Sequence, residues 1–87
     1  MTDQTIPYSE ESVSGAFEYD LTNTGEQISI FISGLSAGTI SVSYLEGTNA
    51  YLLKAYTTDA DDIITVSSRK VRVSGVGVTA DYLSIAS

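Results

Sequence analysis

Apolar residues in this chain recur at every second position, and nowhere at the three-and-four spacing of a helix over three turns. That alternation places successive side chains on opposite faces of a strand. Phe17, Tyr19 and Leu21 alternate with Glu18 and Asp20. Ile28, Ile30 and Ile32 make a second apolar face with Phe31 on the other side, and Ile40, Val42 and Tyr44 alternate with Thr39, Ser41 and Ser43. Further strands are expected from Tyr51 to Tyr56, Ile63 to Val66, Lys70 to Val73 and Tyr82 to Ile85. Turn-forming residues separate these runs: Thr22-Asn23-Thr24-Gly25, Gly34-Leu35-Ser36-Ala37-Gly38, Glu46-Gly47-Thr48-Asn49 and Thr58-Asp59-Ala60-Asp61-Asp62, with Gly75 and Gly77 breaking the run before the last strand. The pattern predicts an all-β fold, a small antiparallel β-sandwich or jelly-roll-like barrel of seven to eight short strands. The Glu46–Asn49 spacing suits a hairpin, so the third and fourth strands should pair antiparallel.

Residues 1–15 are expected as an extended N-terminal arm, anchored by Ile6, Pro7 and Tyr8, ahead of a single β-sandwich domain at 16–87. Pro7 fixes an extended local backbone there. Deleting residues 1–12 is expected to leave the sandwich folded while removing its attachment to a partner.

Composition narrows function by exclusion. The 87 residues include no Cys, His or Trp, so thiolate nucleophiles, imidazole bases and the usual transition-metal ligands are missing. No enzyme activity and no cofactor are expected. Eleven acidic residues against four basic ones give a net charge of −7, the wrong sign for phosphate backbones or anionic lipid. Neither nucleic acid nor membrane is an expected partner. Thirteen Ser and ten Thr supply much of the surface. A domain this small often gains stability from disulfides, metals or partner subunits, and disulfides are impossible here. A homo-oligomer, trimer or dimer, is therefore expected. The N-terminus has neither a basic start nor an apolar stretch, so no signal peptide is read, and the chain should remain in the cytoplasm or be assembled there into something larger.

Four groups of residues carry candidate chemistry. Asp59, Asp61 and Asp62 place oxygens in one loop, the beginning of a calcium site, but no glycine turn or distal bidentate Glu follows at the spacing such a loop needs, so a solvated turn is the reading preferred and no metal site is expected. Glu10 with Glu11, and Glu18 with Asp20, are paired carboxylates, and on an outer strand face they read as solubilising charges. Tyr44, Tyr51 and Tyr56 across the central hairpin suit core and interface packing, or a sugar-stacking platform. Arg69, Lys70 and Arg72 hold three of the four cations within four residues; they read either as the charged outer face of one strand or, with the three tyrosines, as an interface patch against an acidic neighbour.

The segments FISGLSAGTISVSYLEGT and KVRVSGVGVTADYLSIAS resemble small β-sandwich proteins and modules among the virion structural proteins of tailed bacteriophages. Gly34-Leu35, Gly38-Thr39-Ile40, Glu46-Gly47-Thr48 and Val71-Arg72-Val73-Ser74-Gly75 carry the likeness, which covers roughly residues 27 to 86. The hairpin departs from the pattern, reading Glu-Gly-Thr-Asn without a double Gly and a following aromatic, so no ligand contact carries over to it. The resemblance implies a virion component located on the phage particle: a capsid decoration or cement protein that binds the major capsid protein or other virion proteins, or alternatively a tail-tip or fibre-associated adhesin that binds a host surface glycan. A short chain with its own Met1 and an N-terminal extension favours the decoration role.

Overall fold

The computed structural model describes residues 3–5, 8–23, 25–66 and 69–86, of which 3–5 and 69 are described by backbone only. Its seven strands are β1 (Asp3–Thr5), β2 (Tyr8–Asn23), β3 (Gln27–Ser33), β4 (Ala37–Glu46), β5 (Asn49–Tyr56), β6 (Ala60–Thr65) and β7 (Arg69–Ala86). All belong to one curled sheet, antiparallel except where β1 lies parallel to β2, an all-β fold of the small sandwich or barrel kind. The β4–β5 hairpin forms as expected, with Glu46 opposite Asn49.

Two strands are far longer than the sequence pattern suggests. β7 has 18 residues, and a straight strand of that length would run roughly 60 Å. The molecule's longest dimension is 31 Å. β2 and β7 therefore bend together, paired from Tyr8↔Ile85 to Asn23↔Arg69. The N-terminal half of β7 pairs with β4, from Tyr44↔Val71 to Ala37↔Thr79, and its C-terminal half pairs with β3, from Ser33↔Tyr82 to Ser29↔Ala86. One half of the sheet thus contains β1, the end of β2, the start of β7, β4 and β5; the other contains the start of β2, the end of β7, β3 and β6.

The bend is built at Gly75 and Gly77. Between the pairs Gly15↔Val78 and Phe17↔Gly75, β7 carries one more residue than β2, and the β4 register shifts at the same place. Gly77 sits at φ +60°, a conformation open to glycine, and absorbs the extra residue as a bulge. The glycines expected to end a strand bend one instead, which merges the runs at 70–73 and 82–85 into β7. The same fold-back runs through β2 beside Gly15, so the expected change from arm to body after residue 15 falls inside a strand, and residues 8–15 pair with β7. Ile6 and Pro7 lie outside the described residues.

The concave side holds the core. Leu21, Ile40, Val42, Val71 and Val73 from one half meet Ile28, Ile30, Ile32, Leu83 and Ile85 from the other, all essentially inaccessible to water. Tyr8 and Tyr19, eleven positions apart on β2, would be roughly 36 Å apart on a straight strand. Their ring centroids are 5.2 Å apart across the open side of the curl, and Phe17 stacks on Tyr19 at 5.3 Å. Both tyrosine hydroxyls donate to Glu10 Oε1, at 3.3 and 3.0 Å. Burial, the neighbouring Tyr19 hydroxyl and the Glu10 carboxylate push the Tyr8 phenol well above its ordinary range.

At the other margin, β5 and β6 are joined through side chains. Lys54 Nζ lies 2.7 Å from Asp62 Oδ2, and the buried Tyr56 hydroxyl donates to the same oxygen at 3.0 Å. Asn23, 2% exposed, closes the β2–β3 turn: its Oδ1 accepts from the Gly25 N–H, and its amide donates to the carbonyls of Gly25 and Val66.

Candidate interaction surface

Alternation along β3 sets up an exposed face with apolar residues on it. Because Ile28, Ile30 and Ile32 point into the core, Ser29, Phe31 and Ser33 point outward. Their neighbours across the ladder are Ile63 and Asp61 on β6 and Tyr82, Ser84 and Ala86 on β7, with Glu11 and Ser9 of β2 beyond. Phe31 is 44% and Ile63 60% exposed, and the Phe31 and Tyr82 rings lie 6.1 Å apart in a tilted arrangement. Ser33 and Ser84 stand beside these rings, opposite Tyr82 and Phe31 respectively. At one margin a shallow depression of about 290 Å³ is lined by Phe31, Ile32, Ser33, Asp59, Ala60 and Asp61.

The acidic loop that resembled the start of a calcium site is dispersed. Asp59 Oδ1 accepts from the Leu35 N–H at 2.7 Å, Asp61 lies on the outer face opposite Phe31, and Asp62 lies on the inner face opposite Ile30, where Lys54 and Tyr56 hold it. The Lys54 and Tyr56 hydrogen bonds, with the Ile63 N–H, keep the Asp62 carboxyl below the usual carboxylate range. Among the described residues, no three metal-ligating side chains gather. Of the paired carboxylates, Glu10 serves the tyrosines, while Glu18 and Asp20 flank Arg72.

The expected patch of Arg69, Lys70, Arg72, Tyr44, Tyr51 and Tyr56 is divided between the two faces of its sheet half. Arg72 lies on the outer face opposite Asp20 and Ser43. Its Nε donates to Asp20 Oδ1 at 2.8 Å and a terminal nitrogen donates to Oδ2 at 3.4 Å, with Glu18 Oε1 3.5 Å away. Asp20 chiefly, and Glu18, hold the guanidinium charge more firmly than usual. This arginine therefore pairs with acids of the adjacent strand β2 in the same chain. Lys70 is exposed at the start of β7, and the Arg69 side chain is outside the described residues.

Tyr44 stands opposite both Tyr51 and the buried Val71, on the concave side, and the two tyrosine rings stack at 5.2 Å near the hairpin end. Tyr56 is a core residue, 7% exposed, whose hydroxyl is pushed up to about 12 by burial and by Asp62. Of the expected arm anchors, only Tyr8 is described, and it packs within the body against Tyr19.

Phe31, Ile63 and Tyr82 were not among the expected site residues. An aromatic on the polar side of an alternating strand is the signal for Phe31. Ile63 beside Ile64 gives no such signal, since adjacent apolar residues leave the buried one unspecified. No protein-family model matches the chain, and no curated protein matches it.

Proposed function

We propose that this protein is a non-enzymatic virion structural protein of a tailed phage, a capsid decoration protein that binds the outer shell and adds contacts between capsomers. The observation that carries the reading, beside the resemblance at residues 27–86, is the outer face that holds exposed Phe31 and Ile63 and half-buried Tyr82 on a serine-rich body. Such a face suits lasting attachment to another protein. Its mechanism is mass action: every bound copy lowers the free energy of the assembled shell by its own binding free energy.

The test is sedimentation of the protein with shells of the producing phage, after light scattering has given its state of assembly in solution. A discrete oligomer that co-pellets to a fixed stoichiometry is expected. A species that stays in the supernatant at every shell concentration would refute the decoration role.

The stacked Tyr44–Tyr51 pair, with Tyr51 45% exposed, favours a second reading as a tail-tip or fibre-associated adhesin for a surface glycan. In that case Tyr51→Ala abolishes retention on immobilised host glycan.

A further inference from the structure

We propose that the outer face of the β2–β7–β3–β6 half docks a protein surface that is basic around an apolar centre, with a partner arginine entering the depression beside Phe31. This deepens the proposed function and rests on it only for the partner's being a virion protein.

The charge on this face has one sign. Glu11 and Asp61 lie on it, Asp59 borders the depression, and exposed Asp81 follows Ala80 on β7 at its margin. No cation with a described side chain lies there. Lys54 is on β5, while Lys70 and Arg72 are on the opposite half of the sheet. At the centre of this acidic surround are Phe31, Ile63 and Tyr82, which lose water only if a partner supplies apolar contact. A partner that is apolar alone would leave the carboxylates desolvated and unpaired.

The depression specifies the cation further. Phe31, Asp59 and Asp61 all line it, so one aromatic and two acidic residues border the same depression. Asp59 uses Oδ1 for Leu35, leaving its second oxygen as an acceptor, and the Asp61 carboxylate makes no hydrogen bond among the described residues. A planar guanidinium stacks on an aromatic face while donating in its own plane to carboxylates, which an ammonium does less well. A second copy of this chain fits poorly. Two such faces would bring Asp61 and Glu11 against their own counterparts, and Lys54 and Arg72 are ion-paired within their own copy.

The experiment is titration of the isotope-labelled full chain, at low salt, with a short peptide amide of alternating Arg and Leu, followed by amide NMR shifts. Matched peptides with Lys or Glu in place of Arg serve as controls. The Arg peptide is expected to move amides of β3, β6 and the 59–61 loop, more strongly than the Lys peptide, with the Glu peptide inert. Phe31→Ser with Asp61→Asn, both surface changes, should weaken it about tenfold while unaffected amides elsewhere report an intact fold. Shifts centred on Glu18 and Asp20 or on Tyr44 and Tyr51, an equal response to the Glu peptide, or full binding by the double variant would overturn the proposal. Peptide binding at this face by a protein that ignores shells would instead refute only the virion reading.

Discussion

Gly75 and Phe17 form a directly opposed pair in which the ring covers the place where a larger residue's side chain would begin. A Cβ at position 75 would meet Phe17 Cε1 and Val78 Cγ2, so Gly75→Ala should destabilise the protein by about 1–3 kcal/mol. Denaturant unfolding checks this, and adding Phe17→Leu should recover part of the loss if the ring is the obstacle. The tyrosines report a second property at this scale. A phenol raised in the folded state keeps its proton while the unfolded chain begins to ionise near pH 10. The Tyr56 contribution is therefore whole below pH 10 and is lost as pH rises through about 12. Tyr56→Phe should flatten the fall in melting temperature over that window, and phenolate absorbance should show Tyr8, Tyr19 and Tyr56 titrating late.

At the scale of elements, strand positions were legible and strand ends were not. Alternation marks β3, β4 and the 17–21 part of β2 because one face of each is buried. It does not mark β2 before residue 17, where the buried side steps from Glu10 and Tyr8 to Val13 around Ser12, whose φ is +54°. Gly75 and Gly77 were legible as interruptions, but whether a glycine ends a strand or bends it depends on the neighbouring strands, which local sequence does not contain. The consequence for residues 8–12 is testable. Their removal strips Tyr8 and Glu10 from the curl and leaves Leu83 and Ile85 without their β2 neighbours. Deleting residues 1–12 should cost several kcal/mol, a large part of the roughly 5–15 kcal/mol that holds a domain folded. A truncated protein with unchanged thermal unfolding would contradict this, and would restore the picture of a separable arm.

For the whole molecule, charge is distributed unevenly between the two halves of the curl. One half uses Arg72 to balance Asp20 and Glu18, whereas the outer face of the other presents Phe31, Ile63 and Tyr82 with carboxylates around them. The net charge of −7 was readable from composition, but its concentration around an apolar face needed the register of β3, β6 and β7. The cluster of three cations was equally readable, and the pairing of Arg72 with Asp20, 52 positions away, was not. The reading of this protein as a shell stabiliser is met most directly by calorimetric melting of purified shells at increasing protein concentration. The shell transition should rise with added protein and level off at a fixed ratio, and Phe31→Ser with Ile63→Ser should abolish the rise. A shell transition that stays constant at every concentration of wild-type protein would contradict it.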